Sequence, residues 1–132
     1  MQLIDDSYNA NPDSMTASIR NFASLAGKRG FALLGEMLEL GAHSDRYHQN
    51  LALEVTSLGG FWAVGEGMRV LESLPNCLGW TASADEALIA QVVQRVTKGD
   101  AVLIKGSNRV FWAKNFVSRL RLALDPGSGT GS

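Results

Sequence analysis

Two rhythms of apolar residues alternate along the chain. Short runs of strand length, Gln2-Leu3-Ile4, Phe31-Ala32-Leu33-Leu34, Phe61-Trp62-Ala63-Val64 and Ala101-Val102-Leu103-Ile104, are separated by stretches in which apolar side chains recur every three or four residues, the repeat of an amphipathic helix. The first such stretch puts Met15, Ile19, Phe22 and Ala26 on one face. Asn11 is a capping type, Pro12 suits a first helical position because its missing N–H would be unpaired there anyway, and Gly27 ends the run. A second helix is predicted from Ser44, as cap, through Tyr47, Leu51, Val55 and Leu58 to Gly59-Gly60. A short helix over 66–73 stops before Pro75, and Leu78 to Thr81 reads as a brief strand. Ser83-Ala84-Asp85-Glu86 has the spacing of a capping box, ahead of Leu88, Val92 and Val96. The last helix is predicted from about Val110 to Leu124, presenting Trp112, Phe116, Leu120 and Leu124.

Strands and helices that alternate, with strands apolar throughout, predict an α/β fold: an open, mostly parallel, Rossmann-like sheet of about five or six strands with helices on both faces. In such sheets ligands bind beyond the carboxyl ends of the strands. The segments DDSYNANP, GEMLELG and KGSN all follow strands, so all three belong on one rim.

Composition narrows the picture. With 132 residues, 45% of them hydrophobic, the chain supports one domain with its own core. Twelve Lys and Arg against thirteen Asp and Glu leave a net charge of -1, which argues against nucleic acid as a partner. No apolar run reaches the length of a membrane span, and the single cysteine, Cys77, excludes an internal disulfide; both suit the cytoplasm. Residues 1–126 read as the domain. The tail 127–132, GSGTGS, reads as a flexible linker or engineered scar. Both ends look cut from a longer protein.

No phosphate-loop or dinucleotide fingerprint is present. His43 and His48 are five apart, the wrong spacing for two ligands on one helical face, so no metal site is expected, and Cys77 has no basic neighbour to activate it. The junction from Asp5 to Asn11 offers carboxylates, a ring and amide edges, with Asp6 suited to a sugar hydroxyl or a cation and Tyr8, Asn9 and Asn11 to a heteroaromatic ring. Equally, these residues satisfy a turn and start a helix. Lys105-Gly106-Ser107-Asn108-Arg109 places cations, a hydroxyl and an amide before a helix start, fit for a carboxylate or phosphate; the alternative is a solvated loop with Ser107 or Asn108 as cap. For Gly35 to Gly41 the plainer reading is favoured: Glu36 and Glu39 as surface charge, Met37, Leu38 and Leu40 as packing.

Together, DDSYNANPDSM, LLGEMLELG followed by HSDRYHQ, and VLIKGSNR resemble the C-terminal domain of the Mur ligases, in order and spacing from Leu3 to Leu122. The resemblance leans toward the branch that adds D-alanyl-D-alanine to a UDP-MurNAc-tripeptide. Glu36 stands where the family more often has Asp, and Asn108 where Arg is frequent. What the resemblance implies is an ATP-dependent amide-bond ligase of peptidoglycan precursor synthesis. An acyl phosphate forms on the tripeptide and the dipeptide amine attacks it. Asp6 then bonds the ribose, Tyr8, Asn9, Asn11 and Pro12 border the nucleotide, and Lys105, Ser107 and Asn108 lie near the carboxylate of the incoming dipeptide. The phosphate loop and magnesium ligands are expected in a central domain absent from this sequence, so no catalytic residue is expected here and the isolated domain is expected to be inactive. His48 matches a recurring family position and is read as structural. The rival readings are another Mur or folylpolyglutamate-type ligase, and a stand-alone nucleotide-binding module.

Overall fold

The computed structural model describes residues 2–7, 10–112 and 115–125. Five strands, β1 (Gln2–Asp6), β2 (Gly30–Gly35), β3 (Gly60–Val64), β4 (Cys77–Thr81) and β5 (Ala101–Lys105), form one sheet in the order β1-β5-β2-β3-β4. Every pairing is parallel. Strand and helix therefore alternate as the apolar runs predict, and the strand count falls at the lower expected value.

Parity along the strands sorts the core into two layers, because successive strand side chains point to opposite faces. Ala32, Leu34, Phe61, Ala63 and Leu103 pack on one face against Met15, Ile19 and Phe22 of α1 (Pro12–Ala26), with Leu51, Val55 and Leu58 from the β2–β3 crossover. Phe31, Leu33, Trp62, Val64, Val102 and Ile104 pack on the other against Leu88, Ile89 and Val92 of the helix between β4 and β5, and against Phe111, Phe116 and Leu120 near the C-terminus. Burial on both faces explains why these strands read as unbroken apolar runs.

Several local expectations are corrected. The helix expected from Ser44 is two short pieces, α2 (Ser44–Gln49) and α3 (Ala52–Val55), with no side-chain cap on α2. On α2 it is His48, not Tyr47, that turns inward, and Tyr47 is exposed. The segment expected as a helix over 66–73 is a 3-10 helix, Glu66–Leu71. In α4 (Glu86–Arg95) the cap is Asp85, whose carboxylate accepts from Leu88 N at 3.0 Å; the helix starts two residues later than a Ser83 cap predicts, so the third-position donor is the N–H of Leu88 and not that of Glu86.

The long final helix is also broken, into α5 (Asn108–Phe111) and α6 (Phe116–Leu124), with Asn115 between them at φ 56°. Asn is among the few residues that adopt this left-handed backbone readily. The break leaves Trp112 53% exposed, off the inward stripe where the periodicity put it. Trp62 is core, and Trp80 lies toward the edge, its indole donating to Gly65 O at 2.7 Å.

Candidate functional site

The connectivity opens a crevice at the carboxyl end of the sheet. β5 lies between β1 and β2, yet the helices after β1 and β2 pack on one face and those after β5 on the other. Chains leaving neighbouring strands in opposite directions cannot fill the space between them, which is why open α/β sheets bind ligands at such points. Here the gap is an open pocket of about 410 Å³, lined by Ala10 and Asn11 after β1, Leu38, Glu39 and Leu40 after β2, and Ser107, Asn108 and Arg109 after β5. The three segments singled out in the sequence thus share one cavity.

The strands β1 and β5, whose loops supply part of this lining, end in register. Asp6 is the Cα partner of Lys105, so the two side chains leave the sheet on the same face, and Lys105 Nζ lies 3.4 Å from Asp6 Oδ2. The same oxygen accepts from Ser18 Oγ of α1 at 2.8 Å. Burial is unequal: the Lys105 side chain is 4% exposed and that of Asp6 46%. Lysine is stripped of water along its stem while the carboxylate faces the rim, leaving Oδ1 of Asp6 without a partner among the described residues. Asp5 and Asp6 belong to β1 itself rather than to the junction. Asp5 Oδ1 accepts from both the backbone N and the hydroxyl of Ser7, a turn-closing role.

Asn11 is committed to the helix. Its Oδ1 accepts from Ser14 N at 2.9 Å while its own N–H donates to Ser14 Oγ at 3.0 Å, a reciprocal cap, and Pro12 follows at the first helical position. The structural reading of Asn11 and Pro12 therefore holds in detail; Asn11 faces the pocket with its acceptor occupied. Tyr8 and Asn9 lie outside the described residues.

After β5 the chain turns sharply. A Cβ on Gly106 would meet the Gly35 backbone at 2.7 Å and the Phe111 ring at 2.8 Å, so glycine lets the ends of β2 and β5 touch with Phe111 closing over them. Ser107 N donates to Glu36 O at 3.3 Å, and Ser107 Oγ accepts weakly from Arg109 N at 3.4 Å. Ser107 is thus the cap of α5, as one reading of the loop held. Because α5 is a single turn, the strong helix dipole expected at this loop is missing: few peptide units are aligned there. Charge recognition must come from side chains. Lys105 is turned to Asp6, whereas Arg109 is exposed on the pocket wall. Arg109 closes the loop that the sequence marks as fit for an anion, although it is not among the residues that the family resemblance carries over.

The β2 loop is held more firmly than a surface loop requires. Glu36 Oε2 accepts from Gly67 N at 2.7 Å. His48 is fully buried, its Nε2 accepting from Met37 N at 2.9 Å and its Nδ1–H donating to Ser44 O at 2.7 Å. These two bonds assign the neutral Nδ1–H tautomer. A Cβ on Gly67 would touch the His48 ring at 2.9 Å, so this clamp depends on glycine there. His48 is structural, as expected, and Met37 is packing; Glu36 is an anchor rather than surface charge. Leu38, Glu39 and Leu40 emerge beyond the clamp onto the pocket wall, where the sequence reading had them only as packing and surface charge. Glu39 stands at φ 63°, a conformation that costs a non-glycine residue on the order of 1–2 kcal/mol.

Cys77 is half-buried, and burial pushes its thiol pKa up, consistent with an inert sulfur. Among the described residues, no three His, Cys, Asp or Glu side chains converge on a metal position, and no helix is long and apolar enough to cross a membrane.

Relatives share this fold. Residues 1–108 match the family model described as "Mur ligase, glutamate ligase domain". The chain is 33% identical over 118 residues to a UDP-N-acetylmuramoyl-tripeptide--D-alanyl-D-alanine ligase of Synechocystis, covering 82% of this chain and 25% of that protein. It is 30% identical to the enzyme of the same name from Bacillus subtilis, covering 81% and 25%. Among solved structures, the MurF ligase of Thermotoga maritima in complex with ADP superposes with a TM-score of 0.76 at 26% identity, covering 98% of this chain and 29% of that one. MurF from Acinetobacter baumannii follows at 0.67 and 26%, covering 92% and 27%. The chain thus spans about a quarter of the length of the curated relatives it matches. Five parallel strands in this order, a shared rim pocket and a family match across the three loops that build it make this chain a member of the Mur ligase C-terminal (glutamate ligase) domain family.

Proposed function

We propose that this chain is the C-terminal domain of an ATP-dependent ligase that joins D-alanyl-D-alanine to UDP-N-acetylmuramoyl-tripeptide, a cytoplasmic step of peptidoglycan precursor synthesis. The observation that carries this reading is the meeting of the β1 and β5 loops in one pocket, in a chain whose curated relatives bear that enzyme's name. A domain that brings both loops to a single crevice suits a reaction in which a nucleotide and an amine meet at one activated carboxylate.

In this reading Asp6 accepts from the ribose hydroxyls through Oδ1, the oxygen left open while Ser18 and Lys105 hold Oδ2. The clamp fits this task because it fixes the plane of the carboxylate before ligand arrives. Tyr8, Asn9, Asn11 and Pro12 border the nucleotide. Ser107 and Asn108 line the wall offered to the carboxylate of the dipeptide, with Lys105 beneath, its ammonium screening the charge of Asp6. ATP supplies the phosphoryl group that activates the tripeptide carboxylate. The described residues of this chain do not fit a magnesium ion, since no three ligating side chains converge. Magnesium ligands and the phosphate loop are assigned to a central domain, and the isolated domain binds without turning over. Its role is to close over chemistry held elsewhere.

The test is an NMR titration of the chain with ATP and with 2′,3′-dideoxy-ATP. ATP is expected to shift residues around Asp6 and to bind about tenfold tighter than the dideoxy analogue, the size of one hydrogen bond to a charged group; Asp6→Ala removes the difference. Equal binding of the two nucleotides, or shifts confined to the opposite end of the sheet, overturns the assignment. Release of phosphate by the pure chain that depends on D-alanyl-D-alanine overturns the claim that the domain is catalytically silent.

A further inference from the structure

We infer that Glu39 is the residue that recognises the ammonium end of the amino substrate, with Arg109 of the same pocket lining as the cation for the carboxylate end. The inference rests on the function proposed above, because it takes a small zwitterionic amine as the ligand of this pocket. Within the pocket-lining set of Ala10, Asn11, Leu38, Glu39, Leu40, Ser107, Asn108 and Arg109, one residue is anionic and one cationic. Both are exposed, and neither side chain has a partner among the described residues. They stand on loops that leave adjacent strands, β2 and β5. Leu38, Leu40 and Ala10 are the apolar members of the same lining. Opposite charges and apolar surface in one pocket match a peptide with a free amine, small aliphatic side chains and a free carboxylate.

Why Glu39 stands where it does is not explained by the fold. The loop is anchored upstream of it by Glu36 to Gly67 N, by Ser107 N to Glu36 O, and by Met37 N to His48. Downstream, Gly41 takes a left-handed turn at φ 61° with open space around it. Glu39 adopts the same unfavourable backbone region without being glycine, and in exchange makes no hydrogen bond or ion pair among the described residues. A glycine at 39 would serve the loop better. Strain retained without a compensating contact points to function, and here the strained residue carries the sole anion of the pocket wall. A carboxylate orients an amine through its N–H groups without forming a covalent bond, so Glu39 is a positioning and specificity residue.

The experiment is a pair of NMR titrations of the full chain with D-alanyl-D-alanine and with N-acetyl-D-alanyl-D-alanine, which lacks the ammonium but keeps the carboxylate and both methyl groups. Wild type is expected to bind the free amine at least about fivefold tighter, with shifts at 38–40 and 107–109, a margin typical of a charge-assisted hydrogen bond. Glu39→Gln is expected to bind both peptides equally, and Glu39→Asp, which tolerates the same backbone, to restore part of the preference. Equal binding by wild type, or an undiminished preference in Glu39→Gln, overturns the role of Glu39 while leaving the proposed function in place. Failure of both peptides to shift pocket residues overturns the inference together with the amino-substrate part of that function. The nucleotide titration remains an independent check of the rest.

Discussion

The two ends of the sheet each carry an acid–base pair, and the pairs differ in which partner is buried. At the amino end, Asp100 is the sequestered member, its side chain 9% exposed against 62% for Arg29. Asp100 Oδ1 accepts from Arg29 Nε at 3.1 Å, and Oδ2 accepts from both the backbone N and the hydroxyl of Thr97. Arg29 also donates to Lys98 O, and the Asp100 carbonyl takes the N–H of Gln2. At the carboxyl end the lysine is buried and the acid is open. At the same end of the sheet, the loops after β1, β2 and β5 line a 410 Å³ pocket that carries an exposed arginine and a strained glutamate. A saturated network holds structure together; polar groups held firmly but left unsaturated keep capacity for a further hydrogen bond.

The contrast can be broken most forcefully at Gly106. Gly106→Ala puts a methyl group into the Gly35 backbone, and we expect a loss of about 3 kcal/mol in urea unfolding, the upper range for overpacking against atoms that cannot rotate away. A loss below about 0.5 kcal/mol would mean that the strand ends are not in the contact described.

Asp100→Ala comes next. It strands the Thr97 N–H and removes the partner of Arg29, for an expected loss of about 2 kcal/mol near neutral pH. This loss should depend on pH. Burial raises the Asp100 pKa, but the hydrogen bonds from Thr97 and Arg29 outweigh it and hold the group below its ordinary value of 3.8. A depressed folded-state pKa gives stability that is present above the unfolded value and lost as pH falls through the folded one. The gap between wild type and Asp100→Ala is therefore expected to be flat above about pH 5 and to close below about pH 4. A gap independent of pH would remove the carboxylate charge from the account. Nucleotide binding at the other end should be unchanged in this variant.

Glu39→Gly has the smallest effect on stability and the opposite sign. Relief of the left-handed backbone is expected to add up to about 1 kcal/mol, offset in part by the greater freedom of glycine in the unfolded chain. Thermal unfolding reads it directly. A variant that gains stability while losing preference for a free amine separates strain kept for binding from strain without purpose; a loss of stability would show that Glu39 supports the loop after all.

Much of this molecule was legible in one dimension. The alternation of apolar runs with helical stripes led to the parallel sheet, and glycines after strands marked where the chain turns at the rim. Asn11-Pro12 marked the start of α1 because capping is local chemistry between residues three apart. Local rules failed where tertiary packing overrode them. The periodicity from Val110 to Leu124 is continuous, yet Phe111 and Phe116 must both reach one core layer from either side of a left-handed Asn115. Tyr47 fits the helical stripe, but His48 takes the inward position, its ring held between Met37 N and Ser44 O.

By itself, then, the sequence determined the class of fold, the two-sided burial of the strands, and the loops that carry ligand-capable groups, because these follow from periodicity and short-range hydrogen bonding. Tertiary structure alone decided that β5 inserts between β1 and β2, and so that Asp6 sits beside Lys105 and that Asn11, Glu39 and Arg109 face one cavity. Strand order depends on how two helical layers share the faces of a sheet, a property of the packed whole that no short window of residues contains.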